Sequence, residues 1–234
     1  MLDLIWPRRC EICSRPSDRA HRHVCSECLM GIPFIDPASG CTICGRPADI
    51  GEGEMFCREC VGERKPHFDR AGSAFVFEGE ARRMLLDYKF NGHVWMREDF
   101  IDWLEAVVRG RFGATSVDLV VPAPITMLHR YDRGFNQCEY LARGLAKRID
   151  RKYDATILRR TGSPRRQAGL SAEERWLNVA GTFTVKKPEL VAGRTILVVD
   201  DVMTTGATLS ECAKTLKEAG AWRVFALSLS RPDE

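Results

Sequence analysis

"ILVVDDVMTTGAT", residues 196–208, decides how the rest of the chain is read. An apolar run, two adjacent carboxylates and a Thr/Gly turn follow one another, and "ATLSECAKTLKEAG" (207–220) continues as an amphipathic helix closed by Gly220. The pattern is a buried strand, a turn and a helix N-terminus. Backbone N–H groups at a helix start are unsatisfied and attract anions. Thr204, Thr205 and Thr208 add hydroxyls, Gly206 permits close backbone approach, and Met203 and Ala207 complete the loop. Residues 203–208 therefore read as a monophosphate cradle. The Lys of G-x-x-x-x-G-K-[ST] is missing, which excludes triphosphate binding by that route. Asp200 and Asp201 stand just upstream. Carboxylates repel phosphate but accept hydrogen bonds strongly from hydroxyls. A ribose 5-phosphate-type ligand meets both halves, with its vicinal hydroxyls at the acidic pair and its phosphate at the Thr/Gly loop.

On either side of it, strand-like and helix-like segments alternate. "SAFVF" (73–77), "VDLVVPAP" (117–124), "ATILRR" (155–160), "RTILVVDD" (194–201) and "RVFALSLS" (223–230) read as strands. "EARRMLLDYKFN" (80–91), "REDFIDWLEAVVRG" (97–110) and "NQCEYLARGLAKRI" (136–149) read as helices. The alternation predicts an α/β fold, a mostly parallel sheet flanked by helices, with ligands at the carboxyl ends of the strands. A receiver domain also ends a strand in "VVDD", but its acidic pair lies on the first strand, with no Thr/Gly cradle after it.

The first 60 residues have a different texture. Four C-x-x-C pairs, Cys10/Cys13, Cys25/Cys28, Cys41/Cys44 and Cys57/Cys60, account for eight of the ten cysteines. "CEICSRPS" (10–17) matches "CTICGRPA" (41–48), and "VCSEC" (24–28) matches "FCREC" (56–60), so the unit is duplicated. Thiolates presented two at a time from tight turns suit tetrahedral zinc, and eight ligands imply two structural Zn2+ ions. The spacing allows each copy to hold its own ion, or the knuckles to pair first with third and second with fourth. So short a segment buries little core, and metal takes the core's place. Cys138 and Cys212 read as buried small hydrophobes, and His21 and His23 as exposed loop residues. "GERKPHFD" (62–69) reads as a linker, giving a double zinc ribbon over 1–66 and a larger α/β domain over 67–234.

The chain of 234 residues is 44% hydrophobic and 29% charged, as soluble globular proteins are. No apolar run is long enough to span a bilayer, and "MLDLIWPRRC" is too short in apolar residues for a secretory signal, so a cytoplasmic protein is expected. The net charge of +3 is uneven: residues 143–175 carry ten Lys/Arg against Asp150, Asp154, Glu173 and Glu174. Such a field suits a polyphosphate or nucleic acid, or is merely a solvated face.

The opening stretch resembles the phosphoribosyl-pyrophosphate (PRPP) motif of type I phosphoribosyltransferases. Paired cysteine knuckles, "YKFNG" (88–92), "VPAP" (121–124), "RGFNQ" (133–137), "QAGLSAEERWLNVAGTF" (167–183) and that motif, in this order, resemble the ComF family over nearly the whole chain. The resemblance implies a type I phosphoribosyltransferase-like domain that binds PRPP with Mg2+. It implies a catalytic set of Asp200, Asp201, Arg165 and Arg166. Pro122 and Ala123 fall at the pyrophosphate loop, Arg133 and Lys89 become further PRPP contacts, and residues 161–181, with Arg175, become a basic lid for the departing pyrophosphate. It also implies a link to DNA uptake, with single-stranded DNA and uptake proteins as partners. The alternative is a non-catalytic PRPP sensor or nucleic-acid binder using the ribbons and the basic segment. Glutamine-dependent relatives begin with a nucleophilic cysteine after Met removal; residue 2 here is Leu, so glutamine hydrolysis is not expected. No motif identifies a wall for the acceptor base.

Overall fold

A computed structural model describes residues 8–47, 55–62, 65–125, 136–161 and 171–233. Strands β1 (Arg70–Val76), β2 (Leu119–Pro122), β3 (Lys152–Tyr153), β6 (Thr195–Val202) and β7 (Arg223–Arg231) form one sheet, in the order β1-β7-β6-β2-β3, with every pairing parallel. Strand β6 shows why it lies at the centre. Leu197 and Val199 point to one face and Ile196 and Val198 to the other, and all four are fully buried. Both faces are covered, so the strand reads as a continuous apolar run. Each such side chain contributes about 1.5–3 kcal/mol through burial.

The face of Leu197 and Val199 carries α3 (Gly79–Phe90), α4 (Arg97–Val107) and α5 (Gln137–Arg148). The opposite face carries α7 (Ala207–Glu218), with α6 (Ala172–Val179) packed against it. Two expectations need correction. The 155–160 segment does not join the parallel sheet: its extended part, β4 (Leu158–Arg160), pairs antiparallel with β5 (Phe183–Val185) in a separate ribbon. The sheet instead ends on the two-residue β3, whose sequence gives no apolar signal. Moreover, the polar stretch 161–181 is not all loop, since its second half folds as α6. Ser171 accepts from the Glu174 amide and Glu174 reaches back to the Ser171 amide, a reciprocal cap.

The cysteines group sequentially: Cys10, Cys13, Cys25 and Cys28 in one cluster, Cys41, Cys44, Cys57 and Cys60 in the other, with the ligand atoms of each set within 4.8 Å of one another. Of the two pairings that the spacing allowed, each copy holds its own set. The copies repeat in detail. The Ser14 amide donates to the Cys10 carbonyl as the Gly45 amide does to Cys41, at 2.8 Å in both. The two short helices α1 (Ser26–Met30) and α2 (Arg58–Val61) start at equivalent cysteines. Arg15 pairs with Glu27 as Arg46 pairs with Glu59. A closed set of four cysteines fits structural zinc.

The two ribbons straddle the β1 edge of the sheet. The first packs on the α4 face: Arg19 holds Asp99 at 2.9 Å, Arg22 holds Asp102, and the His23 amide donates to Asp99 at 2.7 Å. His23 is thus half-buried and not the exposed loop residue expected, whereas His21 is exposed. The second ribbon joins the core on the α7 face, with Cys41, Cys44, Cys57 and Cys60 among its buried residues. Between them, residues 33–35 run antiparallel to β1, through Ile35 N–H to Ala74 O and Val76 N–H to Pro33 O, both 2.9 Å.

Arg111 fixes the second ribbon. It donates to the carbonyls of Ala71, Pro37 and Cys41 at once, and burial lowers its pKa. Gly45 is required at this contact: its φ is +67°, and a Cβ would stand 2.7 Å from the Ala71 carbonyl oxygen. Arg111→Ala removes a donor from three carbonyls, of which Cys41 keeps the Gly45 amide, and is expected to destabilise the protein by about 3 kcal/mol. Urea unfolding checks this; an unchanged midpoint would show that the clamp is dispensable.

Candidate functional site

Three segments that are distant in sequence converge at the carboxyl end of β6. Strand β6 delivers Asp200 and Asp201, the end of α3 delivers Lys89, and the start of α5 delivers Cys138. Lys89 Nζ lies 2.9 Å from Asp201 Oδ1, with both side chains largely shielded. The Cys138 thiol donates to Asp200 Oδ1 at 3.4 Å, and the Asp201 amide donates to the same oxygen at 2.9 Å. The backbone ties the motifs together. Gln137 Nε2 donates to the Lys89 carbonyl at 2.9 Å, and the Asn136 side chain caps α5 and donates to Ala123 O. Register places Pro122 opposite Val199, one residue from the acidic pair. Asp200, Asp201, Lys89, Pro122 and Ala123 therefore share one neighbourhood. Arg133, Arg165 and Arg166 lie outside the described residues.

The pair is partly shielded from solvent. Both aspartates are half-buried. Burial, and then the charge of Asp201, push the Asp200 carboxyl up to about 6. Burial and the two carboxylates likewise raise the Cys138 thiol, which keeps its proton and serves as a donor. Cys138 is thus a buried thiol, as its neighbours in sequence suggested, but with a polar partner that helical spacing alone did not reveal. The ligand atoms of Cys138, Asp200 and Asp201 lie within 4.8 Å of one another. The two carboxylates supply the oxygen donors that Mg2+ prefers, and Lys89 now neutralises one of them.

The raised carboxyl sets a direction with pH. Its ionised form is disfavoured in the folded chain, a cost fully present above about 6 and relieved as pH falls toward the ordinary aspartate range. At pH 6 the group is about half protonated. A cationic or hydroxyl-bearing ligand favours the ionised form, so binding at pH 6 is expected to release roughly half a proton, and almost none at pH 8. Calorimetry in buffers of different ionisation enthalpy measures this. Proton release that persists in Asp200→Asn would assign it to another group.

Beyond the acidic pair the chain turns through Thr204–Gly206 into α7. Gly206 is the N-cap, at φ +75°, a left-handed conformation that a side chain would strain. Thr205 Oγ1 accepts from the Ala207 amide at 3.4 Å. Met203 and Ala207 are buried and Thr204, Thr205 and Thr208 half-buried. The Thr/Gly loop also forms one wall of a cavity of about 660 Å³. The other walls are the second ribbon (Arg46, Glu59), Phe68, α6 (Arg175, Trp176) and the end of β7 (Arg231). Sequence reasoning had assigned Phe68 to a linker, but it is buried against Gly206. Arg46, Trp176 and Arg231 were missed too, because they come from separate segments and form no motif. For α6 a signal did exist, since Ser171-x-x-Glu174 is a capping-box pattern.

The basic stretch is partly spent within the molecule. Arg148 reaches Asp102 at 2.8 Å, with Glu98 and Glu105 within 3.5 Å. Arg143 lies over the Tyr153 ring and Arg160 over Phe183. No helix among the described residues is long and apolar enough to cross a membrane.

Comparison with known proteins agrees with this architecture. A model of the double zinc ribbon domain matches residues 1–61, and one of the phosphoribosyl transferase domain matches residues 136–232. The chain is 29% identical over 231 residues to DNA utilization protein YhgH of Salmonella typhi, spanning 97% of this chain and 99% of that protein. It is 26% identical to competence protein F of Haemophilus influenzae, over 95% and 96% of the two chains. It is 28% identical to competence protein ComFC of Bacillus subtilis, over 77% and 72%.

Proposed function

We propose that this chain, a member of the ComF family that joins a double zinc ribbon to a phosphoribosyltransferase-type domain, binds PRPP with Mg2+ at the end of β6. The observation that carries the reading is the placement of Asp200 and Asp201, facing Lys89, immediately before a Thr/Gly loop that opens a helix. The carboxylates accept the ribose hydroxyls, and residues 203–208 hold the 5′-phosphate. Lys89 exchanges Asp201 for ligand oxygens. Pro122 and Ala123 stand on the pyrophosphate side, and the family resemblance gives Arg133 the role of a further PRPP contact and Arg165 and Arg166 that of neutralising the leaving group. Bound Mg2+ would supply further charge neutralisation to the pyrophosphate. In the transfer reaction, the bond from the anomeric carbon to pyrophosphate breaks as a bond to an acceptor nitrogen forms. The protein holds the ring and excludes water.

Calorimetric titration of PRPP with Mg2+, followed by a pyrophosphate-release assay with nitrogen acceptors, tests the reading. Binding with acceptor-dependent release supports a transferase. Binding without release supports a PRPP sensor. Absence of binding would overturn both.

The names of the relatives also favour a role in DNA handling. The basic stretch supports single-stranded DNA as a partner, although Arg148 is already committed to carboxylates. An affinity that falls steeply with salt is the expected signature, and no binding at low salt would remove this reading.

A further inference from the structure

The second zinc ribbon closes a cavity against the Thr/Gly loop, and its lining has a definite chemistry. Formal charge on the lining side chains comes from Arg46, Arg175 and Arg231 against Glu59, apart from the ribbon cysteines Cys44 and Cys60. Arg46 is matched by Glu59 at 3.0 Å. Arg231 is only 2% exposed, and its side chain donates to the Cys44 carbonyl at 2.7 Å. Arg175 enters from the opposite wall, on α6. In all three, Nε is buried without a hydrogen-bond partner among the described residues. Buried donors left unmade are costly, so these guanidinium groups are under-satisfied. The rest of the lining is flat or apolar: Phe68, Trp176 and Met203. The volume, about 660 Å³, falls within the range of small-molecule sites, roughly 300–1,000 Å³.

We infer that this cavity receives the acceptor, and that the acceptor is an acidic aromatic nitrogen heterocycle: a flat ring carrying a carboxylate or similar anion. The inference rests on the PRPP reading of the neighbouring loop. The ring lies among Phe68, Trp176 and Met203, and the anion is met by Arg175 and Arg231, because planar guanidinium groups suit carboxylates. The second ribbon thereby acts as the acceptor wall, for which no sequence motif was found.

The test uses the full-length, zinc-loaded chain and two pairs of probes that differ in charge on comparable rings, nicotinate against nicotinamide and orotate against uracil. Each is titrated by calorimetry in the presence of Mg2+ and PRPP, and PRPP is titrated alone in parallel. The acidic member of each pair is expected to bind about tenfold or more tightly than its neutral counterpart. Arg175→Gln, on α6 and outside the ribbon, is expected to bring the ratio within about twofold. Arg231→Gln is expected to do the same where its zinc content and melting temperature match wild type. Equal binding of acidic and neutral probes, or binding of neither while PRPP binds, would overturn the inference and leave the donor site standing. An acidic preference without PRPP binding would keep the cavity's specificity and remove the donor site. Loss of PRPP affinity in Arg175→Gln with the ratio retained would return Arg175 to the leaving group and also overturn the inference.

Discussion

Removing zinc is expected to unfold the protein as a whole and not merely to loosen its first 60 residues. Structural zinc stabilises small ribbons by about 10–16 kcal/mol, as much as the whole stability of a typical domain, roughly 5–15 kcal/mol. Here the four cysteines of the second ribbon are members of the α7-face core. The Cys44 carbonyl is bound by Arg231 at the end of β7, and the Cys41 carbonyl by Arg111 beside β1. Without metal, four thiols or thiolates crowd one buried site, and both arginines lose a fixed partner. Chelator-driven release should yield two Zn2+ per chain, with loss of near-ultraviolet circular dichroism and of the cooperative urea transition. Cys44→Ser is expected to be more damaging to the sheet than Cys13→Ser, since Cys13 is half-buried whereas Cys44 is buried and its carbonyl is bound by Arg231 of β7. Metal-free protein with an unchanged urea midpoint would show that the ribbons are appendages.

Asp201→Asn is expected to weaken PRPP binding by about 100-fold, equivalent to roughly 2.7 kcal/mol. Loss of one or two charge-assisted hydrogen bonds accounts for a change of that size. The melting temperature should move little. The variant loses the attraction of Lys89, but it also removes the repulsion that helps to raise Asp200. A second signature follows: with Asp201 neutral, the Asp200 pKa should fall, and proton release on binding at pH 6 should shrink. Titration with the variant and wild type side by side measures both. Retained affinity, or a large loss of stability without ligand, would make the pair structural.

The sheet was legible because its central strands are buried on both faces: "TILVV" and "FALSL" leave no other reading. The loop at 203–208 was legible because the chemistry of a helix start is local. Edges were not. Lys152 and Tyr153 form a strand through register with β2, not through their own apolar pattern, and Leu158–Arg160 leaves the sheet for a partner, Phe183–Val185, that carries too few residues to stand out. Knuckle spacing could not choose between sequential and crossed pairing, because both place two tight turns around one ion. Lys89 and Cys138 beside the acidic pair, and Arg231 beside the second ribbon, depend on how distant segments meet.

The strip at 33–35 has a consequence for the life of the protein outside its folded basin. A parallel sheet that ends on a seven-residue strand such as β1 presents a free row of amides and carbonyls, a template on which another chain can add. Pro33 and Ile35 occupy part of that row, on the segment that joins the two cysteine ribbons. Loss of metal or oxidation of a knuckle would therefore do more than weaken the molecule. It would bare Ala71–Val76, an uncharged and largely apolar stretch, to its neighbours, so that damaged molecules precipitate together before they can be reloaded with metal.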